Sequence, residues 1–149
     1  MTNEKILFRV AVYLLLIKND KILLLRRFNT GWKDGKYTLV SGHLEGNEAI
    51  KQAMMREAKE ESGISLNAKD LNVIHIMHRK SNDNFEYIDF FLTSNKWKGQ
   101  PRITESDKCD DMNWFPLKNL PKNTLPHIKQ GIEDYFKEVW FSEFGSPDV

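Results

Sequence analysis

The sequence predicts an α+β fold, an α/β/α sandwich in which a mixed β-sheet lies between helices. Three features of the chain support this prediction. Short apolar runs alternate with turn-forming segments, which is typical of strands. Two longer segments carry the start and stop signals of helices. The 149 residues contain neither an internal repeat nor a shift in composition, so we expect one domain over residues 1–149.

Six segments are predicted to be strands because Val, Ile, Leu and aromatic residues are concentrated in them. They are residues 6–17, 21–27, 37–40, 71–79, 85–93 and 112–115. The segments between them are rich in polar and turn-forming residues, and the predicted turns and loops are residues 19–20, 29–36, 41–47, 81–84 and 95–111. A short turn joins the first strand to the second and the fourth to the fifth, so each of these pairs is a predicted hairpin.

Two segments are predicted to be helices. Residues 48–62 contain no proline or glycine, and Gly63 follows at once as a stop signal. Residues 126–141 begin with Pro126, and proline is tolerated in the first turn of a helix because an N–H there has no partner within the helix. The first helix follows directly on a loop that contains two glycines, so loop and helix are expected to be neighbours in space.

Composition narrows the classes of function. Lysine plus arginine number 22 and aspartate plus glutamate 21, which gives a formal net charge of +1. That balance excludes a broad polybasic surface, so we expect neither a nucleic-acid nor a membrane partner. The longest apolar run, residues 10–17, is too short to span a bilayer, and the first residues lack the pattern of a signal peptide. The single cysteine, Cys109, excludes an internal disulfide, and we expect a cytoplasmic protein.

Three acidic residues lie on the apolar side of the first predicted helix. At 100° per residue, Glu57, Glu60 and Glu61 fall within the arc that holds its apolar residues. A solvated acidic helix end is the more common meaning of such a cluster. Here, however, the like charges repel, they oppose the helix dipole, and buried carboxylates need partners. A divalent cation meets all three requirements, and all-oxygen ligands favour Mg²⁺ or Mn²⁺ over zinc.

The residues around this helix follow a known motif. Gly42 is followed after five residues by Glu48, after seven more by Arg56-Glu57-Ala58, then by Glu60-Glu61 and Gly63-Ile64. These nine positions over 23 residues match every defined position of the Nudix box. The chain therefore resembles the Nudix hydrolase superfamily, and within it the small MutT-type branch. One departure is Val40-Ser41, where many members have Pro-Gly before the first glycine of the box.

The resemblance implies hydrolysis of a nucleoside diphosphate linked to another moiety, with Mg²⁺ or Mn²⁺ as cofactor. The implied metal ligands are Glu57, Glu60, Glu61 and the backbone carbonyl of Ser41. Glu48 and Arg56 would form an ion pair that braces the loop against the helix. Members of the superfamily often place a further acid in a later loop, and Glu105 is the candidate, with Asp110 and Asp111 behind it. A homodimer is expected only by analogy with the family.

Substrate signals are weaker than the box itself. Relatives that hydrolyse ADP-ribose usually carry a proline some fifteen residues past the box, and residues 64–100 contain none. By elimination the sequence favours a nucleoside triphosphate, intact or oxidised, converted to the monophosphate and pyrophosphate. The candidate substrate-binding residues are Arg27, Phe28, Trp32 and His43. Core packing for the aromatic residues and a solvent-facing charge for the arginine are the competing interpretations.

Three alternatives remain open at this level. One is a nucleotide-sensing domain that does not hydrolyse its ligand, although such domains commonly lose acids of the box and this chain retains them all. Another is a hydrolase of a nucleotide sugar or other diphosphate. The third is a Nudix-type isomerase of isopentenyl diphosphate, which requires a cysteine in a central strand. Because Cys109 falls in a predicted loop, the sequence argues against the isomerase.

Overall fold

The computed structural model describes residues 5–81 and 85–145, which contain nine strands, two α-helices and a short 3-10 turn. The strands are β1 (Phe8–Leu15), β2 (Ile17–Lys18), β3 (Lys21–Arg27), β4 (Tyr37–Thr38), β5 (Val40–His43), β6 (Leu71–Lys80), β7 (Glu86–Ser94), β8 (Cys109–Pro116) and β9 (Phe141–Phe144). The helices are α1 (Ile50–Ser62) and α2 (Pro126–Phe136), and the 3-10 turn is Ala68–Asp70.

The strands form two sheets. The larger has the order β5-β1-β7-β6-β9, in which β1 with β7 and β6 with β9 are parallel, whereas β1 with β5 and β6 with β7 are antiparallel. In the smaller sheet β3 pairs antiparallel with β2, β4 and β8. The predicted α+β fold with a mixed sheet between helices is therefore confirmed, and its strands are divided between two sheets.

Strand β1 is buried on both faces and separates two apolar clusters. Val12 and Leu14 belong to the cluster that includes Ala53 and Met54 of α1, whereas the alternate residues Tyr13 and Leu15 belong to the cluster that includes Ile128 and Ile132 of α2. A strand covered on both faces is apolar at every position rather than at alternate positions. This explains the unbroken apolar run in the sequence and places one helix on each side of the larger sheet.

One of the two predicted hairpins is confirmed, and the other forms only in part. The pairing of residues 71–79 with 85–93 is confirmed by β6 and β7, although residues 82–84 of the predicted turn lie outside the described residues. The first hairpin forms only next to its turn, where β2 pairs with β3. The preceding strand β1 pairs instead with β5 and β7, because its two apolar faces need the centre of a sheet rather than its edge.

Helix α1 begins at Ile50, two residues later than predicted. Asn47 has a left-handed backbone with φ of 62°, and Ala49 is extended with φ of −79° and ψ of 158°. Glu48 therefore lies in the loop rather than in the helix, where its carboxylate accepts a hydrogen bond from the amide of Glu45 at 2.9 Å. The predicted stop is confirmed, since Gly63 has φ of 74° and its amide donates to the carbonyl of Lys59.

The C-terminal region differs most from the prediction. Helix α2 ends at Phe136 rather than at residue 141, and Glu138 adopts a left-handed φ of 57° directly after it. The chain then adds β9 at the edge of the larger sheet, parallel to β6, and no strand was predicted there. Within the described residues, neither helix is both long and apolar enough to cross a membrane.

Two boundaries near the site also need correction. The strand predicted at residues 37–40 is divided into β4 and β5. Strand β5 also extends into the predicted loop, where Ser41 and Gly42 pair with β1. Strand β8 begins at Cys109 instead of residue 112, because Cys109 pairs with Arg27 of β3 across a bulge. The placement of Cys109 in a loop is therefore wrong.

A test of the packing between α2 and the larger sheet is Gly131→Ala. A β-carbon at this position would overlap Cε1 of Phe91. Alanine favours helix by about 1 kcal/mol, but the overpacking costs roughly 1–3 kcal/mol, so we expect net destabilisation in urea unfolding. Gly46→Ala is the matched control, because a β-carbon there meets nothing within 4 Å. Equal stability of the two variants would contradict the tight contact.

Candidate active site

A cavity of about 630 Å³ opens beside the C-terminal turn of α1 and the N-terminal end of α2. One wall is formed by the backbone of β5 and by Glu61 of α1, and a second wall by Arg27 with the loop that follows it. Glu105 and Lys108 contribute from the segment before β8, and the floor is formed by side chains of β1, β6, β7 and α2. The cavity therefore gathers residues from both sheets and both helices.

Gly42 allows helix α1 to approach strand β5 closely. A β-carbon on Gly42 would overlap the carboxyl carbon and Oε1 of Glu57. One residue earlier, the backbone amide of Ser41 donates a 2.6 Å hydrogen bond to Oε1 of Glu61. The carboxylates of Glu57 and Glu61 are thus held against β5, and no side chain separates them from the backbone of this strand.

Arg56 links the loop before α1 to the acids of the helix. Its Nε and Nη2 donate to the two carboxylate oxygens of Glu48 at 2.7 and 2.9 Å, and Nη2 also donates to the carbonyl of His43 at 3.1 Å. Its Nη1 donates to Glu57 at 2.7 Å. These hydrogen bonds from Arg56 hold the pKa of Glu48 down at about 2, so that carboxylate stays ionised. The expected pair of Glu48 with Arg56 is present, and Arg56 also holds Glu57.

Glu61 has the most perturbed carboxyl in the site. Removal from water raises the pKa of Glu61 to about 8, against the hydrogen bond from Ser41, and the charges of Glu57 and Glu105 raise it further. Burial also raises the pKa of Glu57, although the bonds from Arg56 oppose this. Mutual repulsion indicates that Glu57, Glu61 and Glu105 lie near one another.

Comparisons with known proteins identify the family. The model of the NUDIX domain matches residues 7–136. The chain belongs to the Nudix domain family. An ADP-ribose pyrophosphatase of Methanocaldococcus jannaschii is 33% identical over 129 residues, which are 86% of this chain and 73% of that protein. The oxidized purine nucleoside triphosphate hydrolase of Danio rerio is 26% identical over 145 residues, covering 81% of this chain and 86% of that protein.

Comparison with solved structures identifies the same fold. A MutT NUDIX hydrolase from Burkholderia pseudomallei superposes with a TM-score of 0.78 at 23% identity, covering 84% of this chain and 95% of that one. The prediction of a Nudix-type pyrophosphohydrolase of MutT-like fold is confirmed by these findings. Nudix hydrolases act on nucleotide small molecules and generally use divalent metals, and this Nudix domain has the complete box.

The acidic residues fit a hard cation by their chemistry. In the part of the chain that the structure describes, no three His, Cys, Asp or Glu side chains are already arranged to hold a metal ion. Nevertheless the donors are all oxygens, and Glu61 is a partly buried carboxyl that accepts a hydrogen bond from the backbone amide of Ser41. Such a set suits Mg²⁺ or Mn²⁺ better than a soft metal.

Glu60 does not share the buried position of its neighbours. Its side chain is 54% exposed and lies 3.3 Å from Arg56. The prediction that Glu60 falls in the buried arc is wrong, because the helix turns it about 60° beyond Glu57, to the margin of the face that packs on the core. Glu57 and Glu61 are the two acids of the helix that face β5.

Of the four predicted substrate residues, three line the cavity: Arg27, Trp32 and His43. Arg27 donates to the carbonyl of Trp32 at 2.7 Å and to the hydroxyl of Thr30 at 2.9 Å. Among the described residues no ion pair within 4 Å involves this guanidinium, although the charges of Asp34 and Glu61 act on it from farther away. Phe28 is 44% exposed and is not part of the cavity wall.

The later acids separate into one that reaches the cavity and two that do not. Glu105 lines the cavity. Asp110 instead pairs with Arg26 at 2.7 Å, and Asp111 accepts a hydrogen bond from the hydroxyl of Tyr37. Cys109 lines the cavity as well, but burial raises the pKa of its thiol, which disfavours the nucleophilic thiolate.

Sequence reasoning missed the floor of the cavity, which is formed mainly by Tyr13, Arg79, Tyr87 and His127. Arg79 forms a buried ion pair with Asp89 at 2.6 Å. A signal was present at Asp89, which lies between the apolar residues Ile88 and Phe90, whereas Arg79 lies between His78 and Lys80 and gives none. No local rule indicates, however, that two such positions on β6 and β7 meet.

The substitution Arg56→Lys tests whether Arg56 has a structural role. Lysine keeps the charge but lacks the fork that bonds both oxygens of Glu48, so we expect a loss of roughly 1–3 kcal/mol in unfolding free energy together with a lower rate. Arg26→Lys is the control, because Arg26 has one exposed partner, and such pairs contribute only about 0–1 kcal/mol. An unchanged melting temperature with a large loss of rate would indicate direct contact with phosphate.

The raised pKa of Glu61 predicts how stability depends on pH when EDTA keeps the protein free of metal. Between about 4.5 and about 8 the folded protein keeps a proton on Glu61 that the unfolded chain releases, so stability falls as pH rises through this window. Glu61→Gln removes that contribution, and its melting temperature should fall less from pH 5 to pH 8.5. Glu60→Gln, at an exposed carboxylate of the same helix, should behave like the wild type. A slope as steep in Glu61→Gln as in the wild type would contradict the burial argument.

Proposed function

We propose that this Nudix enzyme hydrolyses a nucleoside triphosphate, intact or oxidised, to the monophosphate and pyrophosphate, with Mg²⁺ or Mn²⁺ as cofactor. The observation that carries the proposal is that an acidic residue and a basic residue line opposite walls of one cavity. The buried carboxylate of Glu61 lies on one wall, and Arg27, whose charge has no carboxylate partner among the described residues, lies on another. A polyphosphate with its cation needs both.

The residues proposed to hold the metal are Glu57, Glu60, Glu61 and the carbonyl of Ser41, with Glu105 as a further acid. When bound, the ion would neutralise charge on phosphate oxygens and lower the pKa of water, which makes a nucleophile available at neutral pH. Glu61 would favour such an ion because the ion relieves the cost of an ionised, desolvated carboxylate. The exposed Glu60 would have to turn inward, and it has the flexibility of a surface side chain.

The remaining wall residues would bind and orient the substrate. Arg27 would bind a phosphate oxygen with its guanidinium, which lies 5.0 Å from the ring centre of Trp32. Trp32 and His43 also line the cavity and would exclude water from it. Glu48 and Arg56 would keep β5 and α1 in register, so that Glu57 and Glu61 stay at the strand.

ADP-ribose is the second candidate substrate. The archaeal relative at 33% identity is named for its action on ADP-ribose, whereas the relative from Danio rerio is named for oxidized purine nucleoside triphosphates. The lack of a proline in residues 64–100 favours a triphosphate. A homodimer, a cytoplasmic location, a single domain, and the lack of nucleic-acid and membrane partners remain predictions.

A panel of nucleoside triphosphates, oxidised triphosphates, nucleotide sugars and ADP-ribose, assayed with Mg²⁺ for both pyrophosphate and phosphate, tests the proposal. We expect pyrophosphate from a triphosphate and no turnover in EDTA. Glu61→Gln should lower kcat by roughly 10²–10⁴, because losing about 3–5 kcal/mol of charge stabilisation has that effect.

Three outcomes would contradict the proposal. Cleavage of ADP-ribose without any cleavage of triphosphates would select the second candidate. Tight binding of nucleotides without products would indicate a sensor. Full activity in EDTA, or full activity of Glu61→Gln, would show that the acids of α1 serve structure alone.

A further inference from the structure

A second cleft, of about 800 Å³, lies at the other end of the larger sheet from the candidate active site. The first cavity is lined by Arg9 and Tyr87, which lie near the amino ends of the parallel strands β1 and β7. The second is lined by Ile17, just beyond the carboxyl end of β1, and by residues 95–98, which follow β7. The two share no lining residue, so the second cleft is a separate site.

Positive charge is concentrated in this second cleft. Among the described residues of its lining there are four lysines, and Asp70 is the one acid. In the described part of the chain no ion pair within 4 Å includes any of these five side chains, whereas Lys80 and Lys108, elsewhere on the surface, each lie 3.7 Å from a glutamate oxygen. The four lysines are Lys18, Lys69, Lys96 and Lys98. Like charges around one concave surface repel one another, and a bound anion would relieve that repulsion.

The backbone that carries two of these lysines is fixed. The amide of Ser65 donates to the carbonyl of Lys98 at 2.9 Å, and the amide of Lys98 donates to the carbonyl of Ser65 at 3.0 Å. Between Lys96 and Lys98, Trp97 packs against the apolar cluster of α1 and stacks on Trp114 with ring centroids 6.3 Å apart. Binding would therefore have to order lysine side chains but not the loop itself, which lowers its entropic cost.

We propose that this cleft is a second binding site, which takes the polyphosphate group of a small molecule. Several lysines around one cleft suit a ligand with several negative charges, and lysine binds phosphate as a compact point charge. The volume of the cleft lies in the range of small-molecule sites. Because the lysines themselves supply the positive charge, binding here needs no metal ion. The proposal does not depend on the function proposed above.

Two sources share this ligand chemistry, inorganic tripolyphosphate and a nucleoside triphosphate. Trp97 lines the cleft beside the lysines, and an aromatic surface next to a phosphate site can contact a base. The experiment therefore uses both compounds.

Titration of the full chain with tripolyphosphate in EDTA at low ionic strength, followed by NMR of the backbone amides, tests the proposal and locates the site. We expect saturable shift changes at residues 65–70 and 95–98. The amides of β5 report separately on the first cavity, so binding at the two places is distinguished within one titration.

The double variant Lys69→Gln/Lys98→Gln removes one lysine from each of two segments that line the cleft. We expect binding at residues 65–70 and 95–98 to weaken roughly 4- to 25-fold, about 2- to 5-fold for each exposed lysine. Lys118→Gln/Lys129→Gln is the matched control, because it removes the same charge at two exposed lysines that line neither cavity. Its binding should stay within 2-fold of the wild type, roughly the effect of screened, distant charges.

The same titration with a nucleoside triphosphate distinguishes the sources. Tighter binding than tripolyphosphate, with a shift of the indole N–H of Trp97, would identify a nucleotide as the ligand. Equal binding would identify the polyphosphate group alone. Equal weakening in the two double variants would show unspecific attraction and overturn the proposal. Shift changes confined to β5, or none that saturate, would overturn it as well, whatever the hydrolysis panel shows.

Discussion

The close approach of α1 to β5 is the constraint on which the site depends. At Gly42 there is no room for a β-carbon beside Glu57, and at Ser41 the backbone amide bonds directly to Glu61. Strand β5 is itself placed by its pairing with β1, whose two faces are buried by the two helices and their clusters. The position of the carboxylates is therefore set by the hydrophobic core, and a change in core packing between α1 and β1 would move them.

This arrangement keeps an ionisable group where the fold alone would favour an apolar side chain. Glu61 lies on the face of α1 that carries Met54 and Ala58, and its desolvation is unfavourable when it is ionised. Arg56 compensates Glu57 but makes no bond to Glu61. Natural proteins depart from local rules of stability mainly at functional sites, and the uncompensated member of an otherwise paired set of acids is such a departure.

Local signals predicted what lies close together in the sequence, and failed where distant segments meet. The Nudix box, the stop at Gly63 and the pairing of Glu48 with Arg56 were predictable because each depends on a few neighbouring residues. Strand β9 and the early start of β8 were not, since each forms by pairing with a strand far away in the chain. The buried pair of Arg79 with Asp89 was missed for the same reason, and the exposure of Glu60 because helical geometry alone does not locate the edge of the core.

Different elements of the fold carry the acids and the floor of the cavity. Glu57 and Glu61 are carried by α1 and held against β5, whereas the floor is carried by β1, β6, β7 and α2. The two helices pack on different sides of the larger sheet. Substitutions in the floor can therefore be made without moving Glu57 or Glu61. Relatives at 33% and 26% identity to this chain are themselves named for different substrates within one family.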